Sequence, residues 1–137
     1  MKELLIWIFC FVLISGCEHG GDFTYKINNK SDYEFIIWFK ASGLDGKLVD
    51  KTINISPNQD CSIFTAESIN QGCYDEKKSF LKWFDTLSIK PKNDTLVLIK
   101  DYKKRDNWKF STNCKSFGAE SEYLFEIENT DINKQIK

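Results

Sequence analysis

The chain has 137 residues and a mass of 16.0 kDa, with 42 % hydrophobic and 28 % charged residues and only 2 Pro and 7 Gly. That balance fits one globular domain with short extras and excludes collagen-like or low-complexity architecture. Lys and Arg number 19 against 20 Asp and Glu, a net charge of −1. Such a chain has no overall positive field with which to hold nucleic acid, so no nucleic-acid partner is expected.

Met1-Lys2-Glu3 leads into an uncharged apolar run from Leu4 to Ile14, which closes on Ser15-Gly16-Cys17. A short charged start, a brief apolar segment and small residues at its end form the layout of a secretory signal peptide. A spanning helix needs about 20 apolar residues, and Glu18-His19-Gly20-Gly21-Asp22 stops this run well short of that. Leu13-Ile14-Ser15-Gly16-Cys17 resembles a bacterial lipobox. The resemblance implies cleavage between Gly16 and Cys17, a thioether-linked diacylglycerol on the Cys17 sulfur and acylation of the new amino terminus. Several acyl chains on one residue make a stable anchor, since each buried CH2 contributes about 0.8 kcal/mol. The chain from Cys17 onward keeps the same net charge, because Lys2 and Glu3 leave together.

From Phe23 the dominant period is two, the signature of half-buried strands. Phe23, Tyr25 and Ile27 alternate with polar neighbours up to Asn28, and Asn29-Lys30-Ser31-Asp32 supplies turn chemistry. Tyr33 to Lys40 reads as the next strand, with Phe35, Ile37 and Phe39 on one face and Trp38 on the other beside Glu34 and Lys40. Asp45-Gly46 centres a turn. Leu48 to Ser56 reads as a third strand, with Val49, Ile53 and Ile55 inward, and ends at Pro57-Asn58. Cys61 to Ala66 reads as a fourth. Residues 67–82 break the pattern, and Asp75 is placed to cap a short helical turn through Lys82. Phe84–Lys90, Thr95–Lys100 and Glu122–Glu128 complete seven predicted strands. Asp101 to Ser121 reads as a long polar segment anchored inward by Trp108 and Phe110, and Asn129–Lys137 as a tail held by Ile132.

Seven short strands separated by turn signals predict an all-β fold, an antiparallel Ig-like β-sandwich, with a small barrel as the alternative. The expected organisation is a signal peptide over 1–16, a lipidated Cys and tether over 17–22, the sandwich over 23–129 and a C-terminal tail over 130–137. The layout resembles the small β-sandwich lipoproteins of Bacteroidota. The resemblance rests on the lipobox, Tyr25-Lys26-Ile27-Asn28-Asn29, Ile53-Asn54-Ile55-Ser56-Pro57, Phe84-Asp85-Thr86-Leu87-Ser88-Ile89-Lys90 and Tyr123-Leu124-Phe125-Glu126-Ile127. It implies a fold and a place in the cell envelope, with the chain lipid-anchored to the outer membrane. It implies no agreed activity and no functional residues.

The single histidine is His19, so the folded part has no imidazole for Ser-His-Asp or Cys-His catalysis, or for the usual zinc ligation. No CxxC and no phosphate-binding or nucleophile-elbow motif occurs. No catalytic residue, metal or cofactor is therefore expected. Cys61, Cys73 and Cys114 remain once Cys10 and Cys17 are set aside. Outside the cytoplasm a disulfide is expected, with Cys73–Cys114 as the leading pairing because both fall in irregular segments, and Cys61 as a buried thiol. The densest carboxylates are Asp75-Glu76 and the series Glu120, Glu122, Glu126, Glu128. Lys100 to Lys109 interleaves basic and aromatic residues in the manner of a charged hairpin loop. Trp83 and Trp108 read as core, and Trp38 as the candidate ligand contact.

These features favour a non-catalytic, lipid-anchored protein whose sandwich binds a protein or a glycan. A carboxylate-based hydrolase of envelope polysaccharide is the first alternative. A structural subunit or inhibitor acting by edge-strand addition is the second.

Overall fold

The computed structural model describes residues 20–68, 73–115 and 118–135. The predicted signal peptide, the Gly16–Cys17 cleavage site, Cys17 itself and His19 lie outside these. The described chain is built from nine strands and three single 3-10 turns: β1 Gly21–Asn29, β2 Phe35–Ser42, β3 Leu48–Ile55, β4 Gln59–Ser68, β5 Phe84–Pro91, β6 Leu96–Leu98, β7 Trp108–Lys115, β8 Gly118–Ile127 and β9 Ile132–Lys134.

Two sheets carry the structure. One has the order β4-β1-β8-β7, the other β3-β2-β5, and β6 pairs with β9 in a small third sheet. All pairings are antiparallel except β1 with β8, which runs parallel from Gly21↔Ala119 to Asn29↔Ile127. The two main sheets face each other over one continuous core. Phe23, Tyr25 and Ile27 of β1 and Tyr123, Phe125 and Ile127 of β8 meet Phe35, Ile37 and Phe39 of β2 and Leu87 and Ile89 of β5. Each set is every second residue of its strand, so the period-two pattern read from the sequence is the physical inside of the sandwich. Rings dominate the seam. Tyr25 stacks on Tyr123 at 5.3 Å and meets Phe84 edge-on at 4.9 Å, while Phe39 meets Phe84 at 5.8 Å.

Several expectations are corrected. The immunoglobulin arrangement puts strands A, B, E and D in one sheet, so its first two strands are neighbours. Here β1 and β2 lie in different sheets, and β1 sits between β4 and β8. Within Asp101–Ser121, which read as irregular, β7 runs alongside β8 from Trp108↔Phe125 to Lys115↔Gly118. It is an edge strand whose last residues are all exposed, so burial imposes no alternation on it. The first strand starts at Gly21 rather than Phe23, which takes Gly21 and Asp22 out of the tether. The C-terminal tail contains β9, whose Ile132 lies opposite Leu98. The turn after Asp75 is a 3-10 turn, Lys77–Ser79, and Asp75 Oδ1 accepts from the Lys77 N–H at 3.0 Å. Cys61 is free and half-buried rather than buried.

Local chemistry sets the turns. Gly46 (φ 70°) and Asn58 (φ 56°) adopt the left-handed conformation, which glycine takes freely and asparagine tolerates. The buried Asn29 ties two turns together. Its side-chain amide donates to the carbonyls of Tyr33 (2.7 Å) and Ser56 (3.0 Å), and its Oδ1 accepts from Ser31 Oγ (2.6 Å).

Candidate functional site

Trp38 stands on the outer face of the three-stranded sheet, because Ile37 and Phe39 on either side of it point into the core. Register then fixes its neighbours. Trp38 lies opposite Thr52 on β3 and Ser88 on β5. One step along, Ile36 lies between Asn54 and Lys90; one step the other way, Lys40 lies between Asp50 and Thr86. Directly opposite residues sit about 5 Å apart at their Cβ atoms. The result is a sheet-face platform with one indole at its centre and Ile36 and hydroxyl, amide and charged groups around it.

The indole is held in place. Its Nε1 donates to Asp50 Oδ1 at 2.9 Å, and the same carboxylate accepts from Lys40 Nζ at 3.3 Å. The Lys40 ammonium lies 5.8 Å from the ring centroid. Trp38 is still 38 % exposed. The indole is thus fixed through its Nε1 with the Lys40 ammonium over its ring, and its exposed part can take an apolar surface with little reorganising. The other two tryptophans of the described chain differ. Trp108 is buried, with Nε1 donating to the Tyr102 carbonyl at 2.7 Å. Trp83 is half-buried against the core, with Lys82 Nζ 4.8 Å above its ring.

The dense carboxylates are engaged elsewhere. Arg105 grips Asp75 with two bonds, Nε to Oδ1 at 2.7 Å and Nη2 to Oδ2 at 2.5 Å. Its guanidinium lies 5.1 Å from the Tyr123 ring and also donates to the Trp108 carbonyl. The Tyr123 hydroxyl donates to Asp75 Oδ1 at 3.2 Å and accepts from the Glu76 N–H at 2.9 Å. Burial raises the Asp75 carboxyl, but the bonds from Arg105 and from the Lys77 N–H outweigh it and hold the group below its ordinary range. Burial, with the Asp75 charge adding to it, pushes the Tyr123 phenol up to about 12. Tyr25, buried beneath and donating to the Phe80 carbonyl, is also raised, by desolvation first.

Glu76 pairs with Lys82 at 2.6 Å, Glu122 with Lys26 at 2.7 Å and Glu120 with Lys115 at 3.1 Å. Glu126 takes both Lys30 and Lys109, whose hydrogen bonds lower its carboxyl. Glu128 closes a capping box with Asp131. These carboxylates are built into ion pairs and caps, and Glu120 and Glu122 also line, with Asp22, an open hollow of about 650 Å³. The basic and aromatic stretch is likewise structural. Lys100 Nζ donates to the Glu126 carbonyl at 2.7 Å, and Arg105 is the latch on Asp75. Cys73 and Cys114 are joined by a disulfide (Cα–Cα 5.6 Å) that ties the segment after β4 to the far end of β7.

Sequence reasoning singled out Trp38 through its polar neighbours on the same parity. It did not find Thr52, Ser88, Asn54 or Lys90, which reach the platform only through pairing with β3 and β5. Nor did it find the Asp75–Arg105–Tyr123 latch, whose members are 30 and 48 residues apart. Among the described residues, no group of His, Cys, Asp and Glu is arranged to hold a metal ion, and no helix is long and apolar enough to cross a membrane. The fold and this face define the chain as an all-β protein with two facing sheets and an aromatic platform on one of them. Set against known proteins, it matches no family model, no curated protein and no solved structure.

Proposed function

We propose that this is a lipid-anchored protein of the cell envelope, held at the outer membrane through Cys17, and that its Trp38 platform binds a glycan. The anchor reading rests on the lipobox-like Leu13–Cys17 and on the resemblance of the layout to the small β-sandwich lipoproteins of Bacteroidota. The ligand reading rests on one observation: an exposed, pre-positioned indole that shares its sheet face with Thr52, Ser88, Asn54 and Lys90. The C–H face of a pyranose is apolar and lies well on an aromatic ring, while its hydroxyls need donors and acceptors at the rim. A protein partner would be better served by several clustered aromatic or apolar anchors, and the rim here is polar.

The two alternatives draw less support. A glycosidase needs two carboxylates free to act across a cleft, and the densest ones here are occupied. Edge-strand addition needs an open, regular edge. Lys51 on β3 lies opposite the inward-facing Phe39, and β4 is bulged where Tyr25 pairs with Phe64 but Lys26 with Ser62. A charge on the inner side of the β3 edge and a bulge in β4 both discourage a further strand at those two edges.

Affinity electrophoresis through neutral and acidic envelope polysaccharides tests the reading. The wild-type protein is retarded by at least one of them. Trp38→Ala weakens that retardation about tenfold, the equivalent of one lost stacking contact, and Trp38→Phe recovers part of it. Retardation that Trp38→Ala leaves unchanged, or none in any gel, overturns it.

A further inference from the structure

Three of the large apolar side chains left exposed lie toward one end of the sandwich. β1 starts there at Gly21, and β2, running back, delivers its turn to the same end. Leu44 of that turn lines a hollow of about 430 Å³ together with Gly20, Ser68, Lys115 and Gly118. The backbones meet closely in this hollow: a Cβ on Gly118 would lie 3.0 Å from the Gly20 carbonyl. Leu48 begins β3 opposite Ser42, at the foot of the same turn. Tyr74 follows Cys73, which the disulfide holds against Cys114 near the end of β7 that lies at this end of the sandwich. Leu44 is 48 % exposed, Leu48 59 % and Tyr74 52 %.

Taking Cys17 as the acylated residue, as the reading above requires, three residue steps separate the lipid from Gly20. They reach at most about 11 Å. β1 is nine residues long, so the opposite end of the sandwich stands about 30 Å away. The tether therefore selects which end can meet the bilayer, and that end carries Leu44, Leu48 and Tyr74. Lys47 and Lys115 there stand among Asp22, Asp45, Glu67 and Glu120, a slightly acidic set, so apolar contact rather than charge attraction suits this surface to its partner. We infer that the Gly20 end docks on the membrane interface. Leu44, Leu48 and Tyr74 sink to headgroup depth, where tyrosine and leucine side chains gain most from leaving water, and the sandwich stands upright on its anchor. The Trp38 platform then faces sideways, parallel to the membrane normal and open to ligands.

The test uses the full acylated protein reconstituted in phosphatidylethanolamine–phosphatidylglycerol vesicles with brominated acyl chains. Two variants each add one reporter indole: Leu44→Trp at the docking end and Tyr33→Trp at the far end. Far-ultraviolet circular dichroism verifies that both keep the sheet spectrum. The emission added by Leu44→Trp shifts to the blue and is quenched about twofold, as expected at headgroup depth, while that added by Tyr33→Trp is unchanged. Equal quenching of both, or of neither, with Cys17 shown by mass to be acylated, overturns the docking and leaves the anchor standing. An unacylated Cys17 overturns the anchor reading and the docking with it, because the short tether is the premise.

Discussion

Phe39→Ala lowers the stability of the domain by about 4 kcal/mol, the range for emptying a buried aromatic site. Phe39 is fully buried at the junction of the two sheets, with Phe64 at 6.3 Å and Phe84 at 5.8 Å. Those rings belong to β4 and to the start of β5, so the cavity opens where the sheets are joined and neither can close it by shifting alone. Trp38→Ala, one residue earlier, costs less than about 1 kcal/mol, because that side chain leans on the outer face and leaves water only in part. Urea unfolding of the two variants measures the contrast. The midpoint falls sharply for Phe39→Ala and little for Trp38→Ala, with similar slopes. Comparable losses would mean that the alternation does not divide inside from outside.

Replacing both Cys73 and Cys114 with Ala lowers stability by about 4 kcal/mol if the loss is mainly chain entropy. The bridge closes a loop with a sequence separation of 41 residues that takes in β5, β6 and most of β7. Without it the unfolded chain gains the freedom of that whole loop. The latch of Asp75 and Arg105 remains, since its bonds come from β7's approach segment and the turn beside Cys73. The variant therefore folds to the same sheets at lower stability. Unfolding of the wild type with and without reductant checks this: reduction lowers the midpoint and frees two thiols beyond that of Cys61. An unchanged midpoint with three thiols already free contradicts it.

What could be read from the sequence follows from what burial imposes. β1, β2 and β5 pack one face on the core, so Phe23–Tyr25–Ile27, Phe35–Ile37–Phe39 and Leu87–Ile89 show their period directly. β7 escaped because an edge strand with a solvated end has no face to alternate. The strand order was also invisible. Alternation says which side of β1 is buried, but not that β8 lies parallel beside it, a pairing across about a hundred residues that the core decides. The platform was half legible. Trp38 announced itself beside Lys40, whereas Thr52, Ser88 and Lys90 join it only through register. The sequence places Cys73 and Cys114 both in irregular segments; the pairing is observed, but Cys114 lies in β7.

Both the proposed location and the docked orientation depend on a fatty-acylated amino terminus. Intact mass and peptide mapping of the protein extracted from its own membranes measure it directly. The expected result is a chain that begins at Cys17, lacks residues 1–16 and carries diacylglycerol on sulfur with an acyl group on the terminal nitrogen. A chain that still begins at Met1, with an unmodified Cys17 thiol and recovered in the soluble fraction, contradicts it.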